Sequence, residues 1–351
     1  MRVILIILMK RILYRTGPVC FLIFILLFCA SLNAELTPDT VTSWVTAVPH
    51  MLASTVMPQQ TPGAVMIHVE GPTPTPSPVP TPTPTCTPEP TPSGLLGGRY
   101  DGFSYDGVIE TEDSYRSENI SIQVSSVSDS ETYSDYIVYY LADIHIQDVE
   151  LLRTAPAGRS FKSKDSGFVK KVGSRFDAIV ACSGDYYVNN KGLLIRNGEL
   201  HRNMKGKYDI CVLFRDGTMQ TFQPSEYEKD DIIAADPWQV WSFGPALLKA
   251  DGTPRSNFGS SSITGRNPRC MLGYYEPGHY AFVLVDGRQS RYSMGLTLED
   301  LARLAYDLGF KVAYNLDGGK SAVMCWKGDV YNHPQDGGRS VSDIIFVAPE
   351  A

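Results

Sequence analysis

The stretch AYNLDGGKSAVM, residues 313–324, closes an apolar run with a carboxylate, two glycines, a cation and a hydroxyl in immediate succession. That composition suits a site built at a strand end. Asp317 can act as base or ligand, Gly318 and Gly319 let backbone approach a substrate closely, and Lys320 with Ser321 can hold an anion. A nucleotide-binding P-loop does not fit, because GxxxxGK[ST] needs glycine where Tyr314 stands and the residues after Ser321 are apolar and β-prone. Taken alone, the stretch reads equally well as a plain glycine turn.

Working outward, Lys311–Leu316 reads as a short buried strand that delivers the glycine loop. A helix precedes it. Thr297 can cap that helix, Asp300 stands at its third position, Leu298, Leu301, Ala302, Ala305 and Leu308 form one apolar face, and Gly309 ends it. Tyr136–Ile146, Asp177–Cys182, Tyr208–Phe214 and Tyr280–Val285 are rich in β-branched and aromatic residues and read as strands. Many strands with few helices imply an α+β domain over residues 96–351, with no internal repeat.

The first quarter of the 351-residue chain has a different character. Residues 1–34 carry Arg2, Lys10, Arg11 and Arg15 with no acid, then the apolar run Val19–Ala30, and read as a secretory signal or an N-terminal membrane anchor. Either reading places the rest of the chain outside the cytoplasm, secreted or held at the cell surface. Residues 35–71 are weakly patterned. Residues 72–93 alternate Thr and Pro, which forbids helix and sheet ladders and favours an extended linker of roughly 60–70 Å.

The formal net charge is −7, and removing the four cations of residues 1–34 leaves −11. Nucleic acid is therefore not an expected partner, since a phosphate-binding surface needs a basic patch. Cys182, Cys211, Cys270 and Cys325 lie in the expected domain, either paired or as buried thiols. There is no CxxC pair, and the six histidines are scattered without ligand spacing, so neither a metal nor a cofactor is expected.

Four further segments set polar or charged residues at the end of an apolar run: 181–187 (ACSGDYY), 267–273 (NPRCMLG), 285–290 (VDGRQS) and 338–343 (GRSVSD). With Gly244–Leu248, the Thr297–Leu301 helix start and Asn315–Gly319, their order and content resemble the phosphodiester glycosidase family over residues 135–350. The fold this implies is α+β, a single mixed-sheet domain of the phosphodiester glycosidase type with few helices. The family usually has asparagine where Ser183 stands and a third glycine where Lys320 stands. Ser183 is shorter but still donates and accepts a hydrogen bond, and Lys320 adds a cation.

The resemblance implies hydrolysis of a sugar joined through its anomeric carbon to a phosphodiester, on a phosphate-containing glycan outside the cell. Such chemistry needs cations for the phosphate and a carboxylate at the anomeric centre. Arg269, Arg288 and Arg339 are the candidates for phosphate, because a guanidinium fork matches two phosphate oxygens. Asp317 and Asp185, then Asp286, are the candidate catalytic carboxylates; Ser183, Asn315, Gly318, Gly319, Lys320 and Ser321 complete the expected substrate side. Tyr186 and Tyr187 suit either a sugar face or the core. A non-catalytic wall-glycan or phosphate-binding module on the same fold is the alternative, motivated by Ser183 and Lys320. A two-metal phosphodiesterase lacks its histidine and aspartate clusters.

Overall fold

The strand His279–Val285 is apolar along almost its whole length because both of its faces are covered. In the computed structural model, which describes residues 94–349 apart from 98, 99, 134 and 260–262, it is a central strand of a seven-stranded sheet. The leader, the 35–71 segment and the Thr/Pro stretch lie outside the described residues. Across this sheet the order is Ile109–Glu110, Ser114–Arg116, Ile120–Asp129, Ile137–Ile146, His279–Val285, Arg269–Glu276 and Val312–Leu316, all paired antiparallel.

Ala281, Val283 and Val285 pack with the helix Leu298–Asp307 through Leu298, Leu301, Ala302, Leu304 and Ala305. Tyr280, Phe282 and Leu284 point the other way, into the main core with Cys182, Trp241, Met324 and Ile345. That core is closed by two five-stranded antiparallel sheets. One is ordered Met219–Phe222, Ile210–Leu213, Gln239–Ser242, Leu194–Arg196, Glu199–Arg202; the other Asp329–Val330, Met324–Trp326, Val180–Ser183, Asp343–Val347, Leu152–Pro156. Each fully buried leucine of the helix contributes about 1.5–3 kcal/mol through removal of apolar surface from water.

The architecture is α+β, mostly sheet with three short helices among the described residues. Thr297 Oγ1 accepts from Asp300 N at 3.0 Å, and Gly309 takes the left-handed conformation that ends the helix, at φ +84°. Two long strands have weak strand patterns of their own. In Ile120–Asp129 serines dilute the apolar alternation of Ile120, Ile122 and Val124, and Arg269–Glu276 begins on a charge. The helices Val169–Gly173 and Lys229–Ala234 are too short to show a helical period. The four cysteines of the domain are buried free thiols. No helix of the described residues is long and apolar enough to cross a membrane.

Candidate active site

Antiparallel register brings the polar strand ends to one place. Arg269 is opposite Val285 and Cys270 is opposite Leu316, so the start of one strand meets the ends of two others, which lead into Asp286 and Asp317. Ile344 pairs with Ser183, setting the Asp343 strand beside the Gly184-Asp185 turn. Backbone contact then joins the segments. Gly319 N donates to Pro268 O at 2.9 Å, Asp317 N to Gly184 O at 3.1 Å and Arg339 N to Lys320 O at 2.9 Å.

This close approach is why glycine is required at particular positions. A Cβ on Gly318 would lie 2.6 Å from the Pro268 carbonyl oxygen, and one on Gly287 would lie 2.7 Å from Pro268 N. Backbone cannot swing aside as a side chain can. Gly318→Ala should therefore displace the Asp317 loop, costing about 1–3 kcal/mol of stability and most of the turnover. Calorimetric melting and initial rates check this, with Lys320→Ala as the exposed neighbour that should leave melting unchanged.

Asp317 is at the centre of the cluster, with 11% of its side-chain surface accessible. Arg339 Nη2 is 3.2 Å from Oδ2 and 3.4 Å from Oδ1, and Arg339 Nε donates to Ser321 Oγ at 2.6 Å. Burial pushes the Asp317 carboxyl above the usual carboxylate range, while the Ser321 hydrogen bond and the Arg339 charge hold it back. The Arg339 guanidinium lies 5.7 Å from the centre of the Tyr186 ring and is half exposed. Arg288 comes within 3.4 Å of where a Gly319 Cβ would stand, and is fixed by Asn267 Oδ1 at 2.6 Å and Gln335 Oε1 at 3.2 Å. Lys320 is exposed and paired with Asp336 at 2.6 Å. A mostly buried carboxylate thus sits against one half-exposed guanidinium, Arg339, with Arg288 beside the adjoining Gly319. Such cations can hold an anionic group while the carboxylate faces a developing positive charge.

Asp185 follows Gly184, whose carbonyl accepts from Asp317 N, and is fully buried. Its Oδ2 accepts from Ser242 N at 2.7 Å and its Oδ1 is 2.8 Å from Arg196 Nη2. The same Nη2 is 3.7 Å from Asp343 Oδ2, so one buried guanidinium serves two buried carboxylates. Gly184 packs against Asp343 with no room for a Cβ, at 2.4 Å. Neither Arg196 nor Asp343 was singled out from the sequence. Asp343 closes the quoted 338–343 segment, whereas Arg196 in an ordinary strand carries no signal.

Burial, then the Asp185 charge, push the Asp343 carboxyl up to about 7. Because this pKa is higher folded than unfolded, the native state binds the extra proton between about pH 4 and about pH 7. Its stabilising contribution is complete below the unfolded value and is lost as pH rises through the folded one. Melting temperature across that window should fall more steeply in the natural protein than in Asp343→Asn, as read by calorimetry at constant ionic strength.

The other expected site residues are held inside. Asp286 is fully buried and accepts from Asn332 Nδ2 at 2.7 Å, His333 N at 2.9 Å and the Tyr292 hydroxyl at 2.9 Å. Tyr140 extends this network to Tyr292 and to His333 Nδ1. Arg269 is 3% exposed; its Nε donates to Leu296 O at 2.8 Å, and its Nη2 to Ile263 O at 2.7 Å and Gly265 O at 2.6 Å. Only Nη1 is without a partner among the described residues. Burial, helped by Arg288, lowers the Arg269 guanidinium to about 10, which still leaves it charged at neutral pH. Ser183 Oγ donates to the Asp317 carbonyl at 3.1 Å, and Asn315 Nδ2 donates to Gly244 O at 2.8 Å; both side chains are buried and tie loops together. Tyr187 is a core residue whose hydroxyl donates to Ser163 O.

Strand ends from two sheets thus bring the Asp317 carboxylate, Arg339 and Arg288 into one cluster. The chain belongs to the phosphodiester glycosidase family, whose sequence signature matches residues 168–348. It is 28% identical over 203 residues to the SPbeta prophage-derived uncharacterized protein YomE of Bacillus subtilis (strain 168), covering 55% of this chain. The match spans only 31% of the length of that relative. The zebrafish N-acetylglucosamine-1-phosphodiester alpha-N-acetylglucosaminidase catalytic domain, solved in a form auto-inhibited by its pro-peptide, shares the fold. Its TM-score is 0.55 at 18% identity, covering 67% of this chain and 85% of that one. A hypothetical protein from Synechocystis matches with TM-score 0.51 at 14% identity, over 66% and 62% of the two chains.

Proposed function

We propose that this protein hydrolyses the glycosidic bond of a sugar-1-phosphodiester, releasing free sugar and a phosphomonoester. The observation that carries this reading is the mostly buried Asp317 carboxylate against the half-exposed Arg339 guanidinium, with Arg288 beside Gly319. Arg339 and Arg288 hold the phosphate oxygens. Asp317 faces the anomeric carbon and stabilises the positive charge that develops as the carbon–oxygen bond to phosphate breaks. Water supplies the new oxygen on that carbon, and its protons go to the sugar hydroxyl and to solvent. Phosphate is a good enough leaving group to depart without a strong general acid. The basic then apolar N-terminal run and the Thr/Pro stretch support action outside the cytoplasm, on a glycan at the cell surface.

Product analysis tests the reaction. The purified full chain is incubated with sugar-1-phosphodiesters in heavy-oxygen water, and the label is located by mass spectrometry. Label in the sugar is the expected result. Label in the phosphate would mean phosphorus–oxygen cleavage and overturn the proposal, and tight binding without any product would make the chain a glycan-binding module.

A further inference from the structure

The same strand register places three candidate metal ligands at the opposite end of the seven-stranded sheet. His279 lies directly across from His145, and Ala281 across from Asp143, in the pairing of His279–Val285 with Ile137–Ile146. Side chains two apart on a strand share a face, so Asp143, His145 and His279 leave the sheet on one side. Their donor atoms all lie within 4.8 Å of one another. The sequence gives no ligand spacing because 134 residues separate the two histidines, and only sheet pairing unites them.

His279 Nε2 is 2.7 Å from Asp143 Oδ1, and the two imidazoles stack with centroids 3.9 Å apart. A simple His–Asp pair accounts for His279. It leaves His145 without a hydrogen-bond partner among the described residues. Tyr100 stacks on His145 at 4.9 Å and Tyr275 on His279 at 4.1 Å, so aromatic rings hold both imidazoles in orientation.

We propose that Asp143, His145 and His279 form a binding site for a divalent transition metal of the zinc class. Two imidazoles with one carboxylate suit zinc, whereas calcium and magnesium prefer all-oxygen shells. Metal–ligand distances of about 2.0–2.2 Å bring tetrahedral donors to roughly 3.4 Å apart. Donors within 4.8 Å can reach that spacing on fixed strands if side-chain rotation turns the two imidazoles out of their parallel stack toward one point. A fourth position remains for water. Seven residues of strand, at about 3.3 Å each, put the site roughly 20 Å from Asp286. The ion therefore acts on stability, by joining two central strands, and not on the reaction.

The test uses the full chain stripped by chelator, titrated with zinc by calorimetry and with cobalt by visible absorption. One equivalent should bind, with tetrahedral cobalt bands and no thiolate charge-transfer band. At about a hundredfold excess of free zinc over Kd the melting temperature should rise by roughly 5–10 °C. His145→Ala and His279→Ala should each weaken zinc by at least about tenfold. The milder Asp143→Asn and His145→Gln should do the same while keeping the metal-free melting temperature, which separates lost ligation from lost fold. Zinc affinity unchanged in the folded His145 variants, or a thiolate band in the cobalt spectrum, would overturn the assignment.

Discussion

Asp317→Asn is expected to lower turnover of a sugar-1-phosphodiester by at least about a thousandfold while KM stays within a few-fold. Asparagine has nearly the same shape and keeps an acceptor for Arg339 and a partner for Ser321, so the loop set by Gly318 against Pro268 remains in place. What disappears is the negative charge, and that charge matters most when the anomeric carbon is most positive. The loss therefore falls on kcat. Arg339→Lys is the contrasting variant: a point charge cannot contact both Asp317 and Ser321 as the guanidinium does, and KM should rise as phosphate binding weakens. Melting curves must match the natural protein for either comparison to count. Near-normal turnover by a folded Asp317→Asn protein would move the role to another group. Asp185 and Asp286 are poor substitutes because both are fully buried and occupied by Arg196 and Ser242, or by Asn332, His333 and Tyr292.

The glycine loop, the capped helix and the strands around them could be read from sequence because each has a local cause. Thr297 and Gly309 bound a helix by backbone chemistry that acts over a few residues, and Lys311–Leu316 is apolar because both faces of its sheet are covered. The set of motif segments was equally legible, since order along the chain is a sequence property. Side-chain direction was not. Arg269 and Arg339 look alike as arginines beside strand ends, yet one spends its donors on the carbonyls of Ile263, Gly265 and Leu296 and the other opens over Asp317. Which of these happens depends on where a distant loop lies. The same limit applies to Arg196, whose partners Asp185 and Asp343 are brought to it by three strands of two different sheets, and to His145 with His279.

Arg196→Met is expected to destabilise the fold by about 3–5 kcal/mol above pH 7, where both Asp185 and Asp343 carry charge, because removing the cation leaves the buried pair with no counter-charge. For a domain of this size that corresponds to a fall in melting temperature of roughly 10 °C. Methionine fits the space between Trp241 and Phe161, against which the guanidinium packs at 5.9 and 6.0 Å, so the cost is chiefly electrostatic. The lost hydrogen bonds to the Ile195 and Val240 carbonyls add to it. If charge is the cause, adding Asp343→Asn and Asp185→Asn to Arg196→Met should recover part of the stability, although each removes a polar contact in the natural protein. The cluster also reaches the reaction. Asp343 packs on Gly184, and Gly184 accepts from Asp317 N, so a loosened cluster should reduce turnover even in the folded fraction. An Arg196→Met protein that melts like the natural one would mean that neither acid carries charge in the native state. The fall in melting temperature assigned to Asp343 would then have to continue beyond pH 7, because a native state that keeps the proton goes on losing stability against an unfolded state that releases it.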